Sequence, residues 1–310
     1  GDIESAITTW DSVRREFGDE AETVDALDAL LAAVARAAER GKLAEASAAS
    51  IRDRACQLAI RLGDLRRTEL GDPLGAAAAY ADALAIDPAS RPALDGMRPL
   101  VDDPIAGRVA GEAIATAMRR TDDWHGLLGL VEARIRRTAD PRDAIAVLRE
   151  AASLHELCAG EPLAALEATA HAFTLDPTDT GLEHELMRLG AATEQWAIVA
   201  DAYRTATAVA AHPARVAHLH LAEGRIREHA LGDPDGAAAA YASASTHDPE
   251  AIEIQRALVR TGAKTGRWAD AAAGALGISS RREAIDEESI SALVEAVSVR
   301  DEWPAFTTGF

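Results

Sequence analysis

Residues 71–88 read Gly-Asp-Pro-Leu-Gly-Ala-Ala-Ala-Ala-Tyr-Ala-Asp-Ala-Leu-Ala-Ile-Asp-Pro, and residues 232–249 read Gly-Asp-Pro-Asp-Gly-Ala-Ala-Ala-Ala-Tyr-Ala-Ser-Ala-Ser-Thr-His-Asp-Pro. A third version runs from Gly160-Glu161-Pro162 to Asp176-Pro177. Proline suits the first turn of a helix and stops a helix that would run into it, so each stretch is predicted as one short helix between two turns. Within it Ala76, Tyr80 and Ala83 recur at spacings of four and three and share one face. Ala237, Tyr241 and Ala244 repeat that face, and Ala165, Thr169 and Ala172 repeat it with a smaller central residue. Small residues admit a partner helix at close range, while the larger one fills the gap between hairpins.

The partner helix lies upstream. Leu65, Leu154 and Ile226 each stand six residues before a turn glycine, and Leu58, Val147 and Leu219 thirteen before it, on the same helical face. A second hairpin type alternates with the first and carries tryptophan at its turn: Asp122-Asp123-Trp124, Glu194-Gln195-Trp196 and Gly266-Arg267-Trp268. The tryptophans are 72 residues apart, as are Gly160 and Gly232. Turn positions 122, 160, 194, 232 and 266 then alternate at steps of 38 and 34, so the 72-residue unit is two hairpins. A fixed period of this kind marks a solenoid. The tryptophans, placed just after each turn, read as seals between hairpins rather than as a ladder for stacking a ligand.

The array resembles the tetratricopeptide repeat (TPR) proteins. Gly71, Ala76, Tyr80, Ala83 and Pro88 match the family's turn glycine, small, aromatic and small second-helix residues and closing proline, and Gly232, Ala237, Tyr241, Ala244 and Pro249 match again. Gly160, Ala165, Ala172 and Pro177 match with Thr169 at the aromatic place. The first helices depart from the pattern, because Gly63-Asp64, Ala152-Ser153 and Gly224-Arg225 stand where a Leu-Gly pair is expected. The resemblance covers residues 50 to 310 and implies an all-α, right-handed superhelical α-solenoid of helix-turn-helix hairpins.

Two stretches break the rhythm. The step from 71 to 122 is 51 residues, and its surplus lies in an inserted segment at 89–104, interrupted by Pro92, Pro99 and Pro104 and readable as a groove cap or as a spacer. Toward the amino end Trp10, Val13 and Phe17 copy a tryptophan-type second helix, followed by a helical segment from Glu20 to Arg40. Residues 1–49 are therefore expected as amino-terminal helices, and 50–310 as the array with a truncated repeat at 280–310 bearing Trp303, Phe306 and Phe310. An array that starts and stops within a hairpin is expected to be a fragment of a longer protein.

Composition narrows the chemistry. The net charge of −19 argues against a nucleic-acid backbone or an anionic membrane as the main partner. Thirty arginines, two lysines (Lys42 and Lys264) and no asparagine read as codon bias in a GC-rich genome. Cys56 and Cys158 occupy unrelated repeat positions and are expected as two buried thiols, Cys158 packing beside a surface His155. No signal peptide or apolar membrane-length run appears, so the default compartment is cytoplasmic. His218 and His220 point about 200° apart on a helix and cannot share one ion, and no HExxH, phosphate loop or Gly-x-Ser-x-Gly motif occurs. No enzyme, cofactor or metal is expected.

What remains is the first-helix surface, which in TPR proteins lines a concave groove for an extended or helical peptide. Counting from the turns, the groove positions hold Arg61, Glu112, Glu150, His184, Ala222 and Arg256, with Arg188 and Arg260 four residues further along their helices. Two readings stand: capture of acidic side chains or a terminal carboxylate by guanidinium forks, or a solvated arginine-rich face. The family's own carboxylate clamp uses asparagines, which this chain lacks. The expected function is a non-catalytic protein-protein interaction scaffold, with a regulatory or sensory arm of a larger enzyme or signalling protein as the alternative. Self-association through the unfinished ends is a third reading.

Overall fold

The computed structural model describes residues 45–280 and 285–300 together with Ala29. Readings that fall on residues 1–28, 30–44 and 301–310 lie outside the described residues. Among the described residues there are fifteen α-helices and no strand. In chain order they are α1 (Glu45–Thr68), α2 (Pro73–Ile86), α3 (Arg91–Met97), α4 (Gly107–Arg120), α5 (Trp124–Gly129), α6 (Val131–Arg136), α7 (Pro141–Leu154), α8 (Pro162–Leu175), α9 (Thr180–Thr193), α10 (Trp196–Ala206), α11 (Pro213–His229), α12 (Pro234–His247), α13 (Ile252–Thr265), α14 (Trp268–Ser280) and α15 (Glu287–Arg300). The chain falls into two compact units, Gly1–Val147 and Leu148–Phe310. Their division lies inside α7, while the expected boundary at residues 49 and 50 lies inside α1.

The turns set the register. Among the described residues six have left-handed backbone: Gly71 (φ 59°), Asp122 (54°), Gly160 (68°), Glu194 (57°), Gly232 (61°) and Gly266 (73°). These are the six turn positions counted from the sequence. In the Gly-Asp-Pro type the amide after each glycine closes a wide turn, Asp72 to the Arg66 carbonyl, Glu161 to His155 and Asp233 to Arg227, each at 2.8 Å. That bond satisfies a carbonyl which the helix end would leave open. An aspartate then caps the next helix: Asp72 and Asp233 in this type, and Asp123 in the tryptophan type, accept from the amides of Gly75, Gly236 and Gly126, each at 2.9 Å. Consequently α2, α8 and α12 each run 14 residues from their proline and stop one residue before an Asp-Pro pair.

Packing follows the small–large–small face. Ala76, Tyr80, Ala83, Ala237, Tyr241 and Ala244 are all 0% exposed, and Thr169 is 2% exposed. Close approach comes from glycine on the first helix. A Cβ on Gly63 would lie 2.6 Å from the Tyr80 ring, and one on Gly224 would lie 2.4 Å from Tyr241. Carbon atoms in contact prefer about 3.5–4.0 Å. The middle copy carries Ala152 and Thr169 at the corresponding places, both buried, so the larger first-helix residue goes with the smaller second-helix one. The departure from the Leu-Gly pattern thus keeps the glycine's packing role and moves its position.

Three local features differ from the plain repeat. The tryptophan-type second helix of the first unit is split into α5 and α6 at Gly129 and Leu130. The segment at 89–104 forms α3 and a 3-10 turn (Arg98–Asp102), with Ala93, Met97, Leu100 and Val101 buried. A Cβ on Gly96 of α3 would lie 2.6 Å from the Tyr80 ring, so this helix is packed into the core of its unit. Finally, α7 ends in a π-helical turn, His155–Ala159.

That π turn corrects an expectation. Cys56 is buried, 3.7 Å from the Ala83 carbonyl, but Cys158 is exposed. The widened turn carries Cys158 out to solvent, while His155 is the half-buried partner and lies 3.0 Å from Glu161. Of the tryptophans, Trp268 is buried, whereas Trp124 and Trp196 are only partly covered. Among the described residues each unit is an all-α array of TPR-like helix-turn-helix hairpins, the fold class that the resemblance implies.

Candidate functional site

Three tyrosines of second helices pass their hydroxyls to a carboxylate on a first helix. Tyr80 donates to Asp64 at 2.7 Å, Tyr203 to Glu183 at 3.0 Å and Tyr241 to Glu228 at 3.0 Å. An arginine completes each station: Arg67 donates to the Tyr80 oxygen at 3.3 Å, Arg215 to Glu183 at 2.8 Å, and Arg260 forks onto both oxygens of Glu228 at 2.9 Å each. In the second unit the arginine comes from the next first helix, so α9 is tied to α11 and α11 to α13.

These groups are strongly perturbed. Burial alone would push the Glu183 carboxyl up, but hydrogen bonds from His218, Arg215 and Tyr203 outweigh it and hold the carboxyl down to about 2. Glu228 behaves likewise: burial opposes the charge, and Arg260 and Tyr241 hold it below the usual carboxylate range. Tyr80 is pushed up to about 12 by burial and by its bond to Asp64. Tyr203 and Tyr241 are raised by burial and by the adjacent carboxylates. Such stations hold charge in place between helices.

A cleft of about 650 Å³ opens on the first-helix surface of the second unit. Leu221, Arg225 and His229 line it from α11, spaced four residues apart. From α13 come Glu253, Arg256, Ala257 and Arg260; from the start of α15 come Asp286 and Glu287, and Tyr241 lies at its base. Leu221, Ala257 and Tyr241 are buried beneath it. Across it Arg225 pairs with Glu253, Arg256 with Asp286 at 3.1 Å, and Arg260 with Glu228. Both side chains of the last pair are mostly buried, at 15% and 5% exposure.

Of the residues read as groove positions, Arg61 and Glu112 belong to the first unit and the other six, the half-buried Ala222 among them, to the second. Arg61 is half-buried. Glu112 is gripped by the buried Arg134 through two contacts, at 2.9 and 3.3 Å. Glu150 is half-buried and His184 exposed. Arg188 spans Glu156 at 2.6 Å and Glu185 at 2.5 Å, and both carboxylates raise its pKa. Only Arg256 and Arg260 come together in the cleft. Arg225, Glu228 and Glu253 were missed by counting from the turns, although Arg225 follows Leu221 at helical spacing. Among the described residues no group of three His, Cys, Asp or Glu side chains is placed to hold a metal, and no helix is long and apolar enough to cross a membrane.

No protein-family model matches the chain, and no curated protein sequence does. Among solved structures it is similar to PilF of Pseudomonas aeruginosa, with 18% identity over 66% of this chain and 96% of that one and a TM-score of 0.24. It is similar to a chain of the APC/C hetero-tetramer Cut9-Hcn1, with 12% identity over 87% of this chain, 52% of that one and a TM-score of 0.31. It is also similar to the TPR domain of P58(IPK), with 11% identity, coverage of 98% and 99%, and a TM-score of 0.26.

Proposed function

We propose that this chain is a non-catalytic protein-interaction scaffold whose second unit takes a peptide segment of a partner protein in the cleft on α11, α13 and the start of α15. One observation carries the reading: a cleft of about 650 Å³ with a charged rim, lined from successive first helices. That size suits a few side chains, and pockets for ligands of moderate size run to about 300–1,000 Å³. The ion pairs between first helices support a largely preformed surface, on which a partner loses little free energy to ordering the protein.

The test is position-specific. A photo-crosslinking residue replaces Arg225 at the cleft or, as a control, the exposed Asp235 on α12. One protein cross-linked from Arg225 and not from Asp235 is the expected outcome. Identical labelling from both positions, or none from Arg225, refutes the cleft as the binding surface.

A further inference from the structure

The charges of the cleft favour one class of partner, a reading that deepens the function just proposed and rests on it. Each of its arginines already has a carboxylate from its own chain: Arg225 has Glu253, Arg256 has Asp286, and Arg260 has Glu228. An acidic ligand would have to draw a guanidinium away from its partner. At Arg260 this would leave Glu228, whose side chain is 5% exposed, without its guanidinium fork and dependent on the more distant Lys264 at 3.7 Å, an arrangement proteins disfavour.

The carboxylates have spare capacity. Glu253 is 62% exposed at its side chain and meets Arg225 through one oxygen. A carboxylate has about four lone-pair sites, so a second donor can bind without displacing the first. Glu287 is exposed and has no ion-pair partner among the described residues. Counting Lys264, which reaches Glu228 at 3.7 Å, four cations face four carboxylates, so the sign of the wider field comes from the whole chain, which carries −19. A field of that sign draws cations toward the rim and slows the approach of anions. Below the rim, Leu221 and Ala257 are 8% and 3% exposed, so their methyl groups lie just under the cleft and report on its occupancy.

We propose that the cleft receives a basic peptide segment of a partner protein, with lysine or arginine side chains meeting Glu253 and Glu287 at the rim. This reverses the preference for acidic ligands that the arginines suggest when read without their partners.

The probe is a random displayed peptide library selected on the full chain at low salt. Selected peptides are then titrated by fluorescence anisotropy and mapped by methyl NMR at Leu221 and Ala257. Peptides that shift those methyls are expected to be rich in lysine and arginine and to weaken as salt rises. They should also bind about tenfold more weakly to Glu253→Gln/Glu287→Gln, the effect of two rim ion pairs. Both residues are exposed, and circular dichroism of the variant verifies the fold. Peptides that shift the same methyls but are acidic, or that bind the double variant unchanged, overturn the charge assignment and leave the cleft reading standing. Selected peptides that never shift those methyls overturn both.

Discussion

Gly224 and Tyr241 make the most direct test of how these hairpins close. A Cβ built on Gly224 falls 2.4, 2.6 and 2.9 Å from three atoms of the Tyr241 ring, about 1 Å inside ordinary carbon contact. The ring cannot retreat freely, because Tyr241 is 0% exposed and its hydroxyl is tied to Glu228 at 3.0 Å. Overpacking costs about 1–3 kcal/mol, and loss of a hydrogen bond to a charged group adds about 1.5–3. Helix propensity returns about 1 kcal/mol when glycine becomes alanine. Gly224→Ala should therefore destabilise by about 3 kcal/mol net. Tyr241→Thr removes the ring and imitates the middle repeat, where Ala152 accompanies Thr169. In that background Gly224→Ala should change sign and stabilise by up to about 1 kcal/mol, because propensity alone remains. Urea titrations of the four proteins, followed by far-UV circular dichroism and compared at constant slope, read the cycle. A similar loss from Gly224→Ala in both backgrounds would refute the close-approach account.

Arg260→Ala should cost about 3–5 kcal/mol by leaving Glu228 buried without its fork, whereas Arg188→Ala, on an exposed helix surface, should cost under about 1 kcal/mol; thermal and urea unfolding compare the two. Glu183 has its folded pKa depressed to about 2, so its contribution is full above the ordinary carboxylate range and is lost as pH falls toward 2. The wild type should accordingly lose stability on acidification more steeply than Glu183→Gln, and parallel acid limbs would contradict the pairing. A disulfide-exchange reagent should label Cys158 in the folded protein at once and Cys56 only on unfolding, since Cys158 is exposed while burial raises the Cys56 thiol; slow labelling of Cys158 would place the π turn differently.

Backbone-determined features were legible in the sequence because each depends on a few adjacent residues. A turn glycine, a capping aspartate and a proline at the first helical position act within one turn, which is why the six turn positions coincide with the six left-handed residues. The Ala-Tyr-Ala face was legible through helical spacing alone. The π turn after α7 was not, since nothing in His-Glu-Leu-Cys-Ala distinguishes a π turn from an α-helical one, and with it the exposure of Cys158 was lost. The glycines facing Tyr80 and Tyr241 looked like departures from a pattern until their distance to the rings gave them a reason.

The candidate site was only half legible, and the cause is geometric. Helical phase tells which way Arg256 or Arg260 points and finds partners within one helix, such as Glu185 for Arg188, but several first-helix arginines also pair with the neighbouring hairpin, where phase along their own helix carries no information. The sequence separations show this: Arg149 to Asp179 is 30 residues, Arg188 to Glu156 is 32, Arg215 to Glu183 is 32 and Arg260 to Glu228 is 32. These values lie near the hairpin step and not near any helical period. The tyrosine partners vary more, at 16, 20 and 13 residues for Tyr80, Tyr203 and Tyr241, because acidic residues on different turns of the first helix fall within reach of the same ring position. An arginine on a first helix therefore has to be judged together with the carboxylates about one hairpin away. Where such a carboxylate is present and buried, as Glu228 is, the arginine fastens one hairpin to the next, and the recognition chemistry passes to the exposed carboxylates left at the rim.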